Sequence, residues 1–374
     1  MKHILILTQH LHINYGGLLQ AYALQKTVKD LGFEAATNSV LLKAKQKITA
    51  KRILNFCINK AKKVAKVVLG HNVMTAEKYK TISRNTQRFI DNYIQTERIT
   101  KITEEQLAKY DIFLVGSDQV FRKLYSPVTE YFLNALKDRD DKVKFTYAAS
   151  FGTDDLSEWT EEDIAICKTL APKFKAVSVR EDSGVEIFKN VFDTHAELVL
   201  DPTLLLEKED YEKIIEEEDS AVKSNVLMCY VLDKSPEKSK IISEIINKTE
   251  LDLLEVMPEE IFNNNTKDIE KCVYPSVSKW IAGFRDADFV VTDSFHGTVF
   301  AIIFNKPFIC IGNRERGLSR FTSLLKIFGL ENRLVFSPED FSDKLLEDID
   351  YEKVNSIKKQ WQEKSIAFLK DNLQ

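Results

Sequence analysis

The stretch VVTDSFHGTVFAIIFNKPF, Val290 to Phe308, sets Asp293, Ser294 and His296 between a β-branched run and an apolar one, with Gly297 directly behind. A strand turning there into a buried helix would carry an imidazole to the edge of a sheet. Imidazole is the side chain that gives and takes a proton near neutral pH. His296 is therefore the leading candidate for acid–base chemistry, the other reading being a histidine that caps the turn. His3 and His71 have no suggestive context, and His195 falls in a loop. His10 and His12 fit an ordinary turn as well as a cleft. A second polar cluster, Gly116-Ser117-Asp118-Gln119, follows the apolar run at Ile112, where Asp118 reads either as a helix cap or as a base or hydroxyl-orienting group. Arg180 leaves the run Ala176–Val179 either as half of a local ion pair or as a fork for carboxylate or phosphate. Arg314, Arg316 and Arg320, just past Phe308–Ile311, point to an anionic ligand.

These residues need strands that end together. Apolar runs of strand length alternate with helical patterns throughout, the signature of parallel α/β architecture. Strands are expected at Ile4–Leu7, Ile112–Val115, Lys144–Ala148, Ala176–Val179 and Leu198–Leu200, the last running into Asp201. A second series covers Val226–Leu232, Leu251–Val256, Phe289–Val291 and Phe308–Ile311. Helices are expected at Gly17–Leu31, Lys238–Asn247, Ser276–Asp286, Gly297–Phe304 and Arg320–Phe328, with a long charged amphipathic one from Tyr351 to Gln374. The acidic stretch EKEDYEKIIEEEDSAVKSN reads as the connection between two domains. The expected architecture is α/β, with two Rossmann-like domains facing a cleft and a C-terminal helix. Residues 1–215 form the first domain on the acceptor side, 220–335 the second on the donor side, and 336–374 the helical tail. Ligands in such sheets bind beyond the carboxyl ends of the strands. Gly16-Gly17 opens a helix whose N–H groups could meet an anion, though a simple tight turn fits equally. The small residues of YAASFG, ending at Ser150-Phe151-Gly152, permit close approach of backbone and ligand.

The chain has 374 residues and a formal net charge of −4, which gives no global reason to expect nucleic-acid binding. Cys57, Cys167, Cys229, Cys272 and Cys310 are widely spaced and odd in number, as expected for reduced, buried thiols of a cytoplasmic protein. No run is long enough for a membrane span or a signal peptide. HExxH and a Cys/His quartet are absent, so no metal site is expected. G-x-S-x-G and the P-loop pattern are absent too, against a serine hydrolase and an ordinary NTPase. Lys43–Lys66, within a helical segment expected at 43–100, carries nine Lys/Arg and no acidic residue. It reads as a surface helix packed on its own domain, or as a basic element approaching an anionic membrane or a phosphate-bearing lipid carrier.

NYGGLLQAYALQ, DIFLVGSDQVF, YAASFG, VSVRE, LDPTLLL and TDSFHGTVFAIIFNKPFI occur in that order. Together they resemble the polysaccharide pyruvyl transferase family, over nearly the whole chain. The resemblance implies a GT-B-like fold and a cytoplasmic bacterial enzyme, with contact at the inner membrane face if the acceptor is polyprenyl-diphosphate-linked. It implies transfer of the pyruvyl group of phosphoenolpyruvate onto two hydroxyls of a sugar as a cyclic ketal, with no further cofactor. It also implies that His296 and Arg180 contact the donor. Asp118 is the expected catalytic partner of His296, and Arg320, with Arg316 in reserve, would hold carboxylate and phosphate. Asn14, Tyr15, Gly16, Ser117, Gln119, Ser150, Ser294 and Phe295, all within the motifs, are the remaining expected substrate contacts. Many members carry Arg-Leu-His-Gly where this chain has Ser294-Phe295-His296-Gly297, and Phe121 replaces a frequent tryptophan while keeping an aromatic wall. The competing classes are a GT-B glycosyltransferase using a nucleotide sugar and a non-catalytic sugar-binding protein of a glycan-assembly complex.

Overall fold

Ile4 to Leu7 and Ile112 to Val115 are buried at every position rather than at alternate ones. That is how strands behave when helices cover both faces of a parallel sheet. The computed structural model describes residues 2–43, 72–218, 220, 225–312 and 317–374. Its first sheet contains β1 (His3–Leu7), β2 (Glu34–Asn38), β3 (Thr96–Glu97), β4 (Ile112–Asp118), β5 (Val143–Ala149), β6 (Ser178–Val179) and β7 (Glu197–Leu198). They lie in the order β3-β2-β1-β4-β5-β6-β7. The second contains β8 (Val226–Tyr230), β9 (Asp252–Glu255), β10 (Phe289–Thr292), β11 (Phe308–Ile311) and β12 (Leu334–Val335), ordered β12-β11-β10-β8-β9. The ladders in both are parallel. Five helices bear on the site: α1 (Tyr15–Asp30), α2 (Val277–Asp286), α3 (Phe295–Ile303), α4 (Ser319–Phe328) and α5 (Tyr351–Leu373).

The strand orders place the cleft. In the first sheet the order reverses between β1 and β4, and in the second between β8 and β10, so the chain diverges at those carboxyl ends and leaves a crevice. The two crevices face each other. Asn14 after β1, Asp118 and Gln119 at the end of β4, Leu232 and Asp233 after β8, and Asp293 to His296 after β10 line one cleft.

An aromatic wedge holds the domains in that relation. Tyr15, the first residue of α1, stacks on Trp280 of α2 with centroids 5.5 Å apart, and its hydroxyl donates to the Pro275 carbonyl at 2.9 Å. Tyr230 and Phe300 meet the same indole at 5.2 and 4.9 Å. The last helix crosses back onto the first domain. Ser365 Oγ of α5 accepts from the Leu200 N–H at 3.0 Å, and Gln362 donates to the Leu204 carbonyl at 2.7 Å.

Two elements differ from expectation for visible reasons. β2 (EAATN) has no long apolar run, yet it is an inner strand. Asn38 substitutes for apolar filling by donating to the carbonyls of Val40 and Ile99 and accepting from the Ile99 N–H. The acidic stretch after Leu206 is no plain connection: Lys208–Glu217 is a helix that buries Tyr211, Ile214 and Ile215, with the Tyr211 ring 4.9 Å from Phe300. Of the basic segment, 44–71 lies outside the described residues, while Ala76–Ile82 and Arg84–Tyr93 are helices. No helix among the described residues is long and apolar enough to cross a membrane. Because Trp280 is buried against both domains, Trp280→Ala should destabilise the protein by about 3–5 kcal/mol in chemical denaturation. A loss under about 1 kcal/mol would mean that the wedge does not hold the domains together.

Candidate active site

At the floor of the cleft lies a buried ion-pair network. Arg180, one residue past β6, donates from Nη1 to Asp201 Oδ2 at 2.6 Å and from Nη2 to Asp118 Oδ1 at 2.9 Å, with side chains 1%, 0% and 6% exposed respectively. Burial opposes the charge on all three, and each partner's opposite charge overrides it. The arginine is held above its usual pKa by Asp201 and Asp118. Asp118 is held below the carboxylate range chiefly by Arg180, then by His296 and Arg320. Asp201 is held well below it by His296, Arg180 and the Thr203 hydroxyl. Asp118 reaches this position with φ at +68°, and its carbonyl accepts from the N–H groups of Val120 and Ser150. That turn swings its carboxylate off the sheet and toward Arg180.

Each polar residue at the opening junction has its own task. Asp293 takes the backbone N–H groups of Leu232 and Asp233 at 2.7 and 3.1 Å and the Lys238 ammonium at 2.6 Å. It thereby ties the exit of β8 to the exit of β10. Ser294 caps α3, accepting from the Gly297 N–H at 3.4 Å. Gly297 lets α3 sit tightly on β10, since a Cβ there would lie 2.2 Å from Thr292 Oγ1. His296 is left to face the cleft. Its Nε2 is 3.7 Å from Asp201 Oδ2, within strong Coulomb reach but beyond a hydrogen bond, and has no hydrogen-bond partner among the described residues. The ring rests on the first turn of α1, where a Cβ on Gly16 would lie 2.1 Å from Nδ1.

Arg320, on α4, also lines the cleft and has no hydrogen-bond or ion-pair partner among the described residues; its Nε is buried and unsatisfied. Burial and the neighbouring Arg180 bring its pKa down to about 10, with Glu181 and Asp118 opposing, so it remains a cation at neutral pH. The Phe295 ring meets both guanidinium groups, its centroid 4.6 Å from that of Arg180 and 5.9 Å from that of Arg320. Such cation–ring contacts keep a guanidinium charged in a dry setting. Glu181 accepts from the Phe151 N–H at 2.7 Å, and burial pushes its pKa up despite Arg180. On the opposite wall Arg122 pairs with Glu158 at 3.1 Å and lies 4.6 Å over the ring of Tyr125, which is 46% exposed. The cleft encloses about 680 Å³ including its open mouth.

The structure brings His296, Asp118, Arg320, Phe295, Ser294, Gln119 and Asn14 to one cleft, with Gly16 against the imidazole. It places others elsewhere. Arg180 is no free fork, because both terminal nitrogens are taken by protein carboxylates. Asp118, ionised and paired, can orient a hydroxyl but is too weak a base at neutral pH to take its proton. Ser117 is in the core, its hydroxyl donating to Gln20 Oε1 at 2.6 Å. Ser150 is buried and accepts from the Gly152 N–H at 3.1 Å, and Tyr15 belongs to the aromatic wedge. The close approach that AASFG permits is made by protein: a Cβ on Gly317 would lie 2.3 Å from the Gly152 carbonyl oxygen. Phe121 packs against Phe132 and Phe151 in the core, so the aromatic lining of the cleft comes instead from Tyr125, Phe295 and Phe321. Arg314 and Arg316 lie outside the described residues. Sequence reading assigned no role to Asp201, Glu181, Arg122 or Tyr125. Asp201 was detectable by the same logic as the others, as an acid leaving a strand.

Two parallel-sheet α/β domains of the GT-B type, with a charged cleft between them that His296 helps to line, define the fold class. The chain belongs to the polysaccharide pyruvyl transferase family, whose model matches residues 14–315. No curated relative matches it significantly. Among solved structures, UDP-GlcNAc 2-epimerase from Neisseria meningitidis bound to UDP-GlcNAc is similar at TM-score 0.50 and 10% identity, over 100% of this chain and 99% of that one. The S. aureus MnaA–UDP co-structure is similar at TM-score 0.50 and 11% identity, over 96% and 91%. At such identities the likeness shows the fold alone, and the fold is the expected GT-B-like pair of domains.

Gly16→Ala sets a methyl where the imidazole lies, so ring or helix must move by an ångström or more. Transfer should fall by about 10²-fold, since misplacement of a reacting group on that scale costs about that much, with a loss of stability of about 1–3 kcal/mol from the overpacked contact. Near-normal turnover in the Gly16→Ala enzyme would mean that the ring position is not critical.

Proposed function

We propose that the protein transfers the pyruvyl group of phosphoenolpyruvate to two hydroxyls of a sugar in a bacterial polysaccharide, or in its lipid-linked precursor, closing a cyclic ketal. The observation that carries this reading is the presence, in one cleft of a chain from this family, of the imidazole of His296 and of Arg320, a cation whose Nε is buried and unsatisfied and which has no hydrogen-bond or ion-pair partner among the described residues. A buried guanidinium without a carboxylate is costly, and a phosphate or carboxylate of the donor would satisfy it with charge-assisted hydrogen bonds.

In this mechanism His296 protonates C3 of the donor, and C2 gains oxocarbenium character. One acceptor hydroxyl adds to C2, the C2–O–phosphate bond breaks, and the second hydroxyl closes the ring. Of the two hydroxyl protons lost, one balances the proton placed on C3 and the other leaves with phosphate. Asp118 orients the attacking hydroxyl by accepting its hydrogen bond, and His296, once deprotonated, is the base. Arg320 holds the donor's anionic end, while Arg180 keeps Asp118 and Asp201 ionised and in place. Tyr125 offers an exposed ring face on the acceptor side of the mouth. The lipid-linked form of the acceptor is motivated by the basic run at 43–66 of the sequence alone.

The test is mass spectrometry of candidate sugars and lipid-linked sugars incubated with phosphoenolpyruvate, together with phosphate release. The expected result is one added ketal and phosphate release only with acceptor present. His296→Ala should slow transfer by roughly 10²-fold or more. Arg320→Met should raise the KM for phosphoenolpyruvate by about tenfold or more, the worth of a hydrogen bond to a charged group. Thermal stabilisation by UDP- or GDP-sugars and not by phosphoenolpyruvate would favour glycosyl transfer instead.

A further inference from the structure

We infer that Asp201 is a positioning residue for His296, fixing which ring nitrogen faces the cleft and favouring the imidazolium, through a carboxylate it shares with Arg180. The inference deepens the reading of His296 as the proton donor and rests on it for its catalytic meaning.

Asp201 cannot turn away from the imidazole. Its Oδ1 accepts from the Thr203 N–H at 3.0 Å and the Thr203 hydroxyl at 2.6 Å, and its Oδ2 accepts from Arg180 at 2.6 Å. The oxygen held by Arg180 is the one 3.7 Å from His296 Nε2. The contact also spans the domains, since Asp201 follows β7 of the first sheet and His296 opens α3 on the second. A carboxylate at that distance attracts an N–H and repels a lone pair, so the neutral ring should carry its proton on Nε2. Nδ1, on the Gly16 side, is then the site where the catalytic proton is gained and lost.

The charges around the ring nearly balance, which gives Asp201 its leverage. From the first domain come the anions Asp201 and Asp118 and the cation Arg180, and Arg320 on α4 adds a second cation; Glu181, beside these two arginines, is pushed toward its neutral form by burial, and Arg122 is paired with Glu158. The first turn of α1, at Gly16, presents the positive end of a helix dipole toward Nδ1. On the side of His296's own element, Asp293 is already neutralised by Lys238. His12, whose own pKa burial brings down to about 4, is neutral at working pH. With two anions set against two cations and a helix terminus, removing the carboxylate facing Nε2 leaves the imidazolium opposed by net positive charge.

The test uses the full-length protein with ¹⁵N-imidazole-labelled histidine, the His296 resonances being assigned by their absence in His296→Gln. In wild type at high pH the neutral ring should be the Nε2–H tautomer. Across roughly pH 5–9, Asp201→Asn should lower the His296 pKa by at least about one unit, as expected when an opposite charge this close is removed. In transfer assays Asp201→Asn should move the upper limb of the kcat–pH profile down by the same amount. An Nδ1–H tautomer in wild type, which needs no variant to fold, overturns the inference, as does an unchanged pKa in folded Asp201→Asn. If the spectra behave as expected but no donor yields phosphate, the pyruvyl-transfer reading fails alone. If ketal forms but the tautomer is reversed, the positioning role fails alone.

Discussion

The arrangement turns on one buried guanidinium shared by two carboxylates. Arg180, Asp118 and Asp201 are sealed from water where β4, β6 and β7 end, and none could stay there alone, because an unpaired buried charge costs several kcal/mol. Satisfying all three at once fixes the relative positions of three strand exits. The Phe295 ring, delivered from the other domain, lies 4.6 Å from the same guanidinium. A pairing within one sheet therefore also gives the opposite domain its docking point, and His296 arrives as the next residue along. Replacing the set by apolar side chains could stabilise the fold, as buried ion pairs often allow. It would also remove the charges among which the imidazole works.

The glycines at the interface show how little slack this design has. Gly16 gives the space that a Cβ would fill to the imidazole of the other domain, Gly297 gives its space to Thr292, and Gly317 to the Gly152 carbonyl. Each lets one element press against another near the cleft; at Gly16 and Gly297 that proximity is the whole requirement, while Gly317, at φ +76°, also needs glycine's conformational freedom. The Tyr15–Trp280 stack keeps the first turn of α1 at the correct depth for that contact.

Much of this was legible from the chain alone because strand exits are local events. His296, Asp118, Gln119 and Ser294, picked out as polar residues just after apolar runs, line one cleft in the structure, and the paired Rossmann-like domains followed from the alternation of those runs with helices. The errors share a cause. Ser117, Ser150 and Tyr15 sit in the same turns as true cleft residues, but which way a side chain points depends on tertiary partners: Gln20 for Ser117, the Gly152 N–H for Ser150, and Trp280 for Tyr15. Arg180 was read either as half of an ion pair or as a fork for a ligand's carboxylate or phosphate, and the carboxylates it meets are those of Asp118 and Asp201. That those carboxylates belong to the protein depends on contacts 21 and 62 residues away in the chain. Tyr125 was missed because it lies seven positions beyond the end of β4, where exit logic no longer reaches, and Arg122 holds it at the mouth through ring stacking.

The serine at 294 illustrates how a charge can be moved within such a cleft. A side chain at that position begins α3 and here is spent on capping, accepting from Gly297. An arginine would have to extend past the cap to reach the cleft. Arg320 arrives instead from α4, whose first N–H is held by Asp154 Oδ1 at 3.1 Å, and it meets the same Phe295 ring that Arg180 does. The cation thus enters from the neighbouring strand's helix rather than from the residue two before the imidazole, and the Phe295 ring is in cation–π contact with both guanidinium groups. For a small, multiply charged donor, what matters is a cation within reach of the imidazole, and either origin meets that requirement. On this reading, Ser294 leaves the anion-binding role in the cleft intact and hands it to Arg320.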